Sequence, residues 1–174
     1  MANTEVVICA VARTPVGRFR GALREYSAVE LGILSVKELL NRCKIDPSSG
    51  IIDEVLFGQV LQAGAGQAPA RQVALGAGLP VSIPATTINK VCGSGLKTVM
   101  MAANSIRSGE YEVIVCGGME SMTNSPHLVW SPRRGEDVAY GDLKHSMVFD
   151  GLWDVYNDVH MGNTGETVAI DYEI

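Results

Sequence analysis

Apolar and polar positions divide the chain into short hydrophobic runs separated by longer amphipathic stretches. Glu5–Val11, EVVICAV, is continuous, apolar and β-branched, the pattern of a buried strand. Arg13–Gly21, RTPVGRFRG, carries a proline and two glycines and reads as a loop. Ser27 opens SAVELGILSVKELLNRCK with Glu30 three positions on, which predicts a capping box at a helix start. Leu31, Leu34, Val36, Leu39 and Leu40 give that helix an apolar face. Asp53–Val60, DEVLFGQV, reads as a second strand, and AGAGQAPARQVALGAG as a glycine-rich loop and short helix closed by Gly76 and Gly78. Pro84–Asn89 and Tyr111–Gly118 are the third and fourth strands. Between them Leu96, Val99, Met100, Met101, Ala102, Ala103 and Ile106 are apolar on nearly every side, which predicts a buried helix beginning at Cys92.

Strand and helix thus alternate through residue 118. That order predicts a layered α/β domain with a mixed, mostly parallel sheet, over residues 1–119. From Glu120 to Met161 the chain turns irregular, polar-aromatic and rich in turn formers, so residues 120–174 read as a second, loop-built region. NTGETVAIDYEI looks like a new helix capped by Thr164, with Val168, Ala169 and Tyr172 as its stripe. No C-cap follows, so the chain reads as cut within a helix; a short fraying terminal helix is the alternative.

Composition narrows the class. With 47% hydrophobic and 19% charged residues the chain is globular, and a net charge of -5 without a basic stretch argues against nucleic acid. No leader pattern and no membrane-spanning run is visible, and Cys9, Cys43, Cys92 and Cys116 form no CxxC. The expectation is a cytoplasmic, reduced protein without a metal site.

Cys92 is the one residue whose position poses a chemical question. It stands between a strand and a helix and is followed by Gly-Ser-Gly. Unpaired N–H groups and the positive dipole end favour a thiolate at a helix N-terminus. Gly93 and Gly95 leave room for a substrate, and the Cys92 N–H would face an oxyanion formed on attack, which suits acyl transfer through a thioester. A free cysteine is also among the most buried residue types, and by position alone Cys92 fits either role. Cys9, Cys43 and Cys116 read as packing residues. SPRRGED, Ser131–Asp137, reads as a solvated loop tip, and AGAGQAPA lacks the spacing of a phosphate cradle.

NKVCGSGLKTVMMAANSIRSGE resembles the active-site segment of thiolases. ARTPVGRFRGAL, GQAPARQVALGAGLP, VIVCGGMESMTNSPH and DGLWDVYNDVHMGNTGETVA resemble further segments of that family, so the likeness covers essentially the whole chain. It implies the N-terminal half of a thiolase fold, layered α/β/α with a buried helix at the nucleophile and an irregular loop domain. It implies an acetyl-CoA C-acetyltransferase in which Cys92 carries the acyl group between acetyl-CoA and acetoacetyl-CoA, or a longer 3-ketoacyl-CoA. Leu152, His160 and Met161 match residues that line the pantetheine and acyl tunnel, and Glu120 a polar residue behind the site. No cofactor is implied; coenzyme A thioesters are substrates.

Thiolases are longer, with a second α/β half that supplies a GHP histidine, an asparagine that holds a water and a CxGGG cysteine. None of these motifs occurs here. The resemblance therefore implies a complementary C-terminal half, from a second chain or a longer parent, in a homo- or hetero-oligomer. It also implies that this chain alone, lacking that half, exposes apolar surface. The competing readings are a non-catalytic acyl-CoA or lipid binding module and a cysteine hydrolase, which would need a partner histidine.

Overall fold

The computed structural model of the chain describes residues 4–129 and 143–174. The SPRRGED stretch lies outside the described residues. The chain divides into two compact units, Met1–Asn124 and Ser125–Ile174.

The first unit is built on three parallel strands in the order β2-β1-β3, with β1 at Glu54–Gly58, β2 at Ala85–Ile88 and β3 at Ile114–Gly118. Helices α1 (Ala28–Cys43) and α2 (Pro69–Gly76) cover one face, and α3 (Ser94–Ser108) the other. Alternation along β1 sets this division: Val55 and Phe57 enter the core with α1 and α2, while Gly58 meets the first turn of α3. Helix α1 begins with the predicted capping box: the Ser27 hydroxyl accepts from Glu30 N, and the Glu30 carboxylate accepts from Ser27 N at 2.7 Å. Its buried stripe is Ala28, Gly32, Val36 and Leu40, a spacing of four, and Leu34 points outward.

Two sequence expectations fail here. Residues 4–11 form no strand, and Val7 and Ile8 are 67% and 75% exposed; Cys9 beside them is exposed rather than packed. A strand needs a neighbour to pair with, and none of the described strands pairs with this segment. Helix α3 is buried on one side only. Its buried residues are Ser94, Thr98 and Ala102, whereas Leu96 and Met100 are 68% and 52% exposed. The reason is the surface beneath it. A Cβ on Gly58 would lie 2.5 Å from the Ser94 carbonyl carbon, and one on Gly118 would lie 3.1 Å from Gly95 Cα. Backbone thus rests almost directly on backbone, and only small residues of α3 fit against the sheet. Its bulky residues are left facing away.

The second unit is a series of short pieces. Strands β4 (His127–Leu128) and β5 (Lys144–His145) pair antiparallel, a π-helical segment runs Met147–Leu152, and β6 (Trp153–Asp154) pairs antiparallel with β7 (Val159–His160) before α4 (Met161–Asp171). Helix α4 starts three residues before the predicted Thr164. His160 caps it, its Nδ1 accepting from Gly162 N at 3.0 Å. Among the described residues no helix is long and apolar enough to cross a membrane.

Candidate active site

Cys92 lies in the turn that joins β2 to α3, exposed to solvent, two positions before the first helical residue. The turn is held from several directions. Gly93 N donates to Lys90 O at 3.1 Å, Ser94 N to Val91 O at 3.0 Å, and Lys97 N to Gly93 O at 2.8 Å. The Ser94 hydroxyl accepts from Lys90 N at 2.8 Å and donates to Val91 O at 2.6 Å. Asn89 Oδ1 accepts from Val91 N at 3.0 Å. Val91 itself has φ 46°. A β-branched residue in the left-handed region costs on the order of 1–3 kcal/mol, so the surrounding hydrogen bonds must over-determine it.

The depth of the turn over the sheet follows from the glycine contacts of α3 and from Thr98. The buried Thr98 hydroxyl donates to Gly117 O at 3.0 Å and to Gly95 O at 2.7 Å, which ties the second turn of α3 to β3. Behind the strand ends, Glu120 accepts from Val60 N at 2.9 Å and from Leu61 N at 3.3 Å. Burial pushes its carboxyl above the ordinary range, and bonds from Val60, Leu61 and Ser121 oppose that rise. Gln59, also buried, donates to Leu61 O at 2.9 Å, so the loop after β1 is fixed beside the β2–α3 turn, to which Gln59 N is joined through Ile88 O at 3.0 Å. Cys116 is half-buried in β3, and burial raises its thiol, which suits packing and not nucleophilic work.

In the second unit Leu152 ends the π-helical segment, His160 lies in β7 opposite Trp153, and Met161 opens α4. The hairpin loop is closed by Asp154, which accepts from Tyr156 N and Asn157 N, and by Trp153 Nε1 donating to Asp158 at 3.0 Å. The Nδ1 of His160 is engaged as the α4 cap, so its free nitrogen is Nε2. His127 and His145 stand opposite each other with ring centroids 4.6 Å apart, and His145 Nδ1 accepts from Met147 N. Among the described residues no group of His, Cys, Asp and Glu is arranged to hold a metal ion.

Sequence reasoning singled out Cys92 but not Asn89, Val91 or Ser94. The only available signal was the serine in CGSG, which reads as a spacer between glycines until its bonding is seen.

A parallel sheet between helices, with an exposed cysteine on the strand-to-helix turn, defines a layered α/β scaffold. The family described as thiolase, N-terminal domain, matches residues 6–174, and the chain belongs to the thiolase family. Curated relatives include acetyl-CoA acetyltransferase of Cupriavidus necator, 52% identical over 171 residues, covering 98% of this chain and 43% of the relative. A probable acetyl-CoA acetyltransferase of Escherichia coli is 49% identical over 170 residues, with 98% and 43% covered. The crystal structure of the Acat5 thiolase from Ascaris suum in complex with coenzyme A superposes with a TM-score of 0.85 at 38% identity, covering 94% of this chain and 42% of that one. The chain spans under half the length of the relatives it matches.

Proposed function

We propose that this chain supplies the nucleophile-bearing half of an acetyl-CoA C-acetyltransferase. Cys92 attacks the ketone carbonyl of acetoacetyl-CoA, and the C–C bond breaks. The departing acetyl-CoA carbanion takes a proton, and the acetyl group remains on sulfur. The thiol of coenzyme A then attacks the thioester and leaves as a second acetyl-CoA. In reverse the same steps condense two acetyl-CoA molecules. Two oxyanion sites are needed, and the Cys92 N–H serves one of them. Leu152, His160 and Met161 line the pantetheine and acyl tunnel. His160 is read as shaping the ligand pocket and not as the nucleophile's base.

The base histidine and the acid/base cysteine come from a complementary half, and the assembly is an oligomer in the cytoplasm serving fatty acid metabolism. Support for a complementary half comes from the exposed apolar side of α3, including Leu96 and Met100, and from the length of the relatives. The observation that carries the reading is Cys92 itself, exposed on a strained turn within a family of acetyltransferases.

The test is native mass spectrometry of the protein from its source, followed by incubation with acetyl-CoA and peptide mapping. Acetylation at Cys92, with a second thiolase half present in the assembly or the parent chain, is the expected result. A lone species that never acetylates would overturn the reading in favour of a binding module.

A further inference from the structure

We propose that Ser94 is a positioning residue that aims the Cys92 N–H; this rests on the thioester chemistry proposed above. The Val91 carbonyl and the Cys92 N–H belong to one peptide unit, which is planar and trans. Whatever fixes the direction of that carbonyl fixes the direction of that N–H. The carbonyl of Val91 is held twice, by the Ser94 hydroxyl at 2.6 Å and by Ser94 N at 3.0 Å. The same hydroxyl accepts from Lys90 N at 2.8 Å, so it has no freedom to turn away. Ser94 is 4% exposed and wedged over Gly58.

The turn needs such a clamp. Among the described residues, the non-glycine positions with positive φ are Arg20, Lys44, Ala68, Val91, Asp158 and Glu173, and Val91 alone is β-branched. Left to itself the Val91–Cys92 peptide would rotate toward an extended or right-handed conformation, and the N–H would swing off the site of oxyanion development. Asn89 Oδ1 holds the other side of Val91 through its N–H, from a solvent-exposed position. Ser94 thus acts on the reacting atoms through the peptide between them and not by touching substrate.

Two probes separate aiming from mere structure. Acyl transfer from p-nitrophenyl acetate to Cys92 passes through an oxyanion, whereas alkylation by iodoacetamide does not. In the full chain, with both adducts mapped to Cys92, Ser94→Ala is expected to slow acylation at least about tenfold while alkylation stays within about twofold. Asn89→Ala, on the exposed side of the turn, shows the same split to a smaller degree and decides the matter if Ser94→Ala does not fold. Equal slowing of both probes, or no slowing of acylation, overturns the proposal. Acylation by acetyl-CoA is a separate arm. If it fails while p-nitrophenyl acetate shows the split, the acetyltransferase reading falls and the role of Ser94 stands.

Discussion

The two faces of the three-stranded sheet are built on opposite rules. Toward α1 and α2 the sheet presents Val55, Phe57 and Val115, and the helices answer with Val36, Leu40 and Val73 in a filled core. Toward α3 it presents buried Leu56 and, under the first turn of the helix, Gly58 and Gly118; the helix answers with Ser94, Thr98 and Ala102. The first face gains stability from buried apolar area. The second gives up side-chain volume so that a helix start, and the cysteine before it, can be set at a fixed height by backbone contact and hydroxyl bonds. Leu96, Val99 and Met100 of α3 then face outward, exposed to solvent. One face holds the domain together and the other holds the nucleophile in place.

The sharpest way to break this comparison is at Cys92. Cys92→Ser should abolish acetyl-enzyme formation, read by peptide mapping after acetyl-CoA, while thermal unfolding stays close to wild type because the side chain is exposed. Next come paired substitutions on the two faces. Leu40→Ala should cost about 2–5 kcal/mol in urea unfolding yet leave the alkylation rate of Cys92 in the folded chain unchanged. Gly58→Ala should cost about 1–3 kcal/mol, since the new methyl would meet backbone 2.5 Å away, and should also change Cys92 reactivity. If Leu40→Ala moved Cys92 reactivity and Gly58→Ala did not, the division of labour would be wrong.

A smaller effect is expected on the outer side of α3. Leu96→Ser with Met100→Gln should leave stability within about 0.5 kcal/mol. The same pair should weaken binding to a complementary thiolase half roughly tenfold, measured by titration of the two pieces. The smallest effect belongs to Glu120. Its carboxyl is raised above the ordinary range in the folded chain, so the folded state holds that proton more tightly than the unfolded state does. Its contribution is therefore full at pH below the ordinary carboxylate range and is lost as pH rises through the folded value. The stability difference between wild type and Glu120→Gln, followed by urea unfolding, should decline over that rise and be flat elsewhere.

Much of this architecture was legible from local patterns. The Ser27–Glu30 box and the α2 helix depend on neighbours in sequence and stand where those patterns put them, and β1–β3 form within the expected segments because each finds a partner, β3 starting at Ile114 rather than Tyr111. What depended on distant partners was not legible. Glu5–Val11 has the composition of a strand, but composition supplies no neighbour. Thr164 looks like a better cap than His160, because a histidine caps only when the preceding hairpin turns its ring toward the helix start. The apolar residues of α3 gave no sign of which ones meet the sheet, since that is set by the absence of side chains at Gly58 and Gly118. Cys92 was legible as chemistry through the segment around it. The bonds that hold Val91 were not, because a serine between two glycines has no pattern of its own.

Residues 4–11 carry one more consequence. They are a β-branched stretch that no described strand pairs with. Among the described residues no strand pairs with the outer edge of β3 either. An unpaired strand edge is a place where a further strand can add. Residues 4–11 therefore have the composition to complete a sheet, and among the described residues they find none.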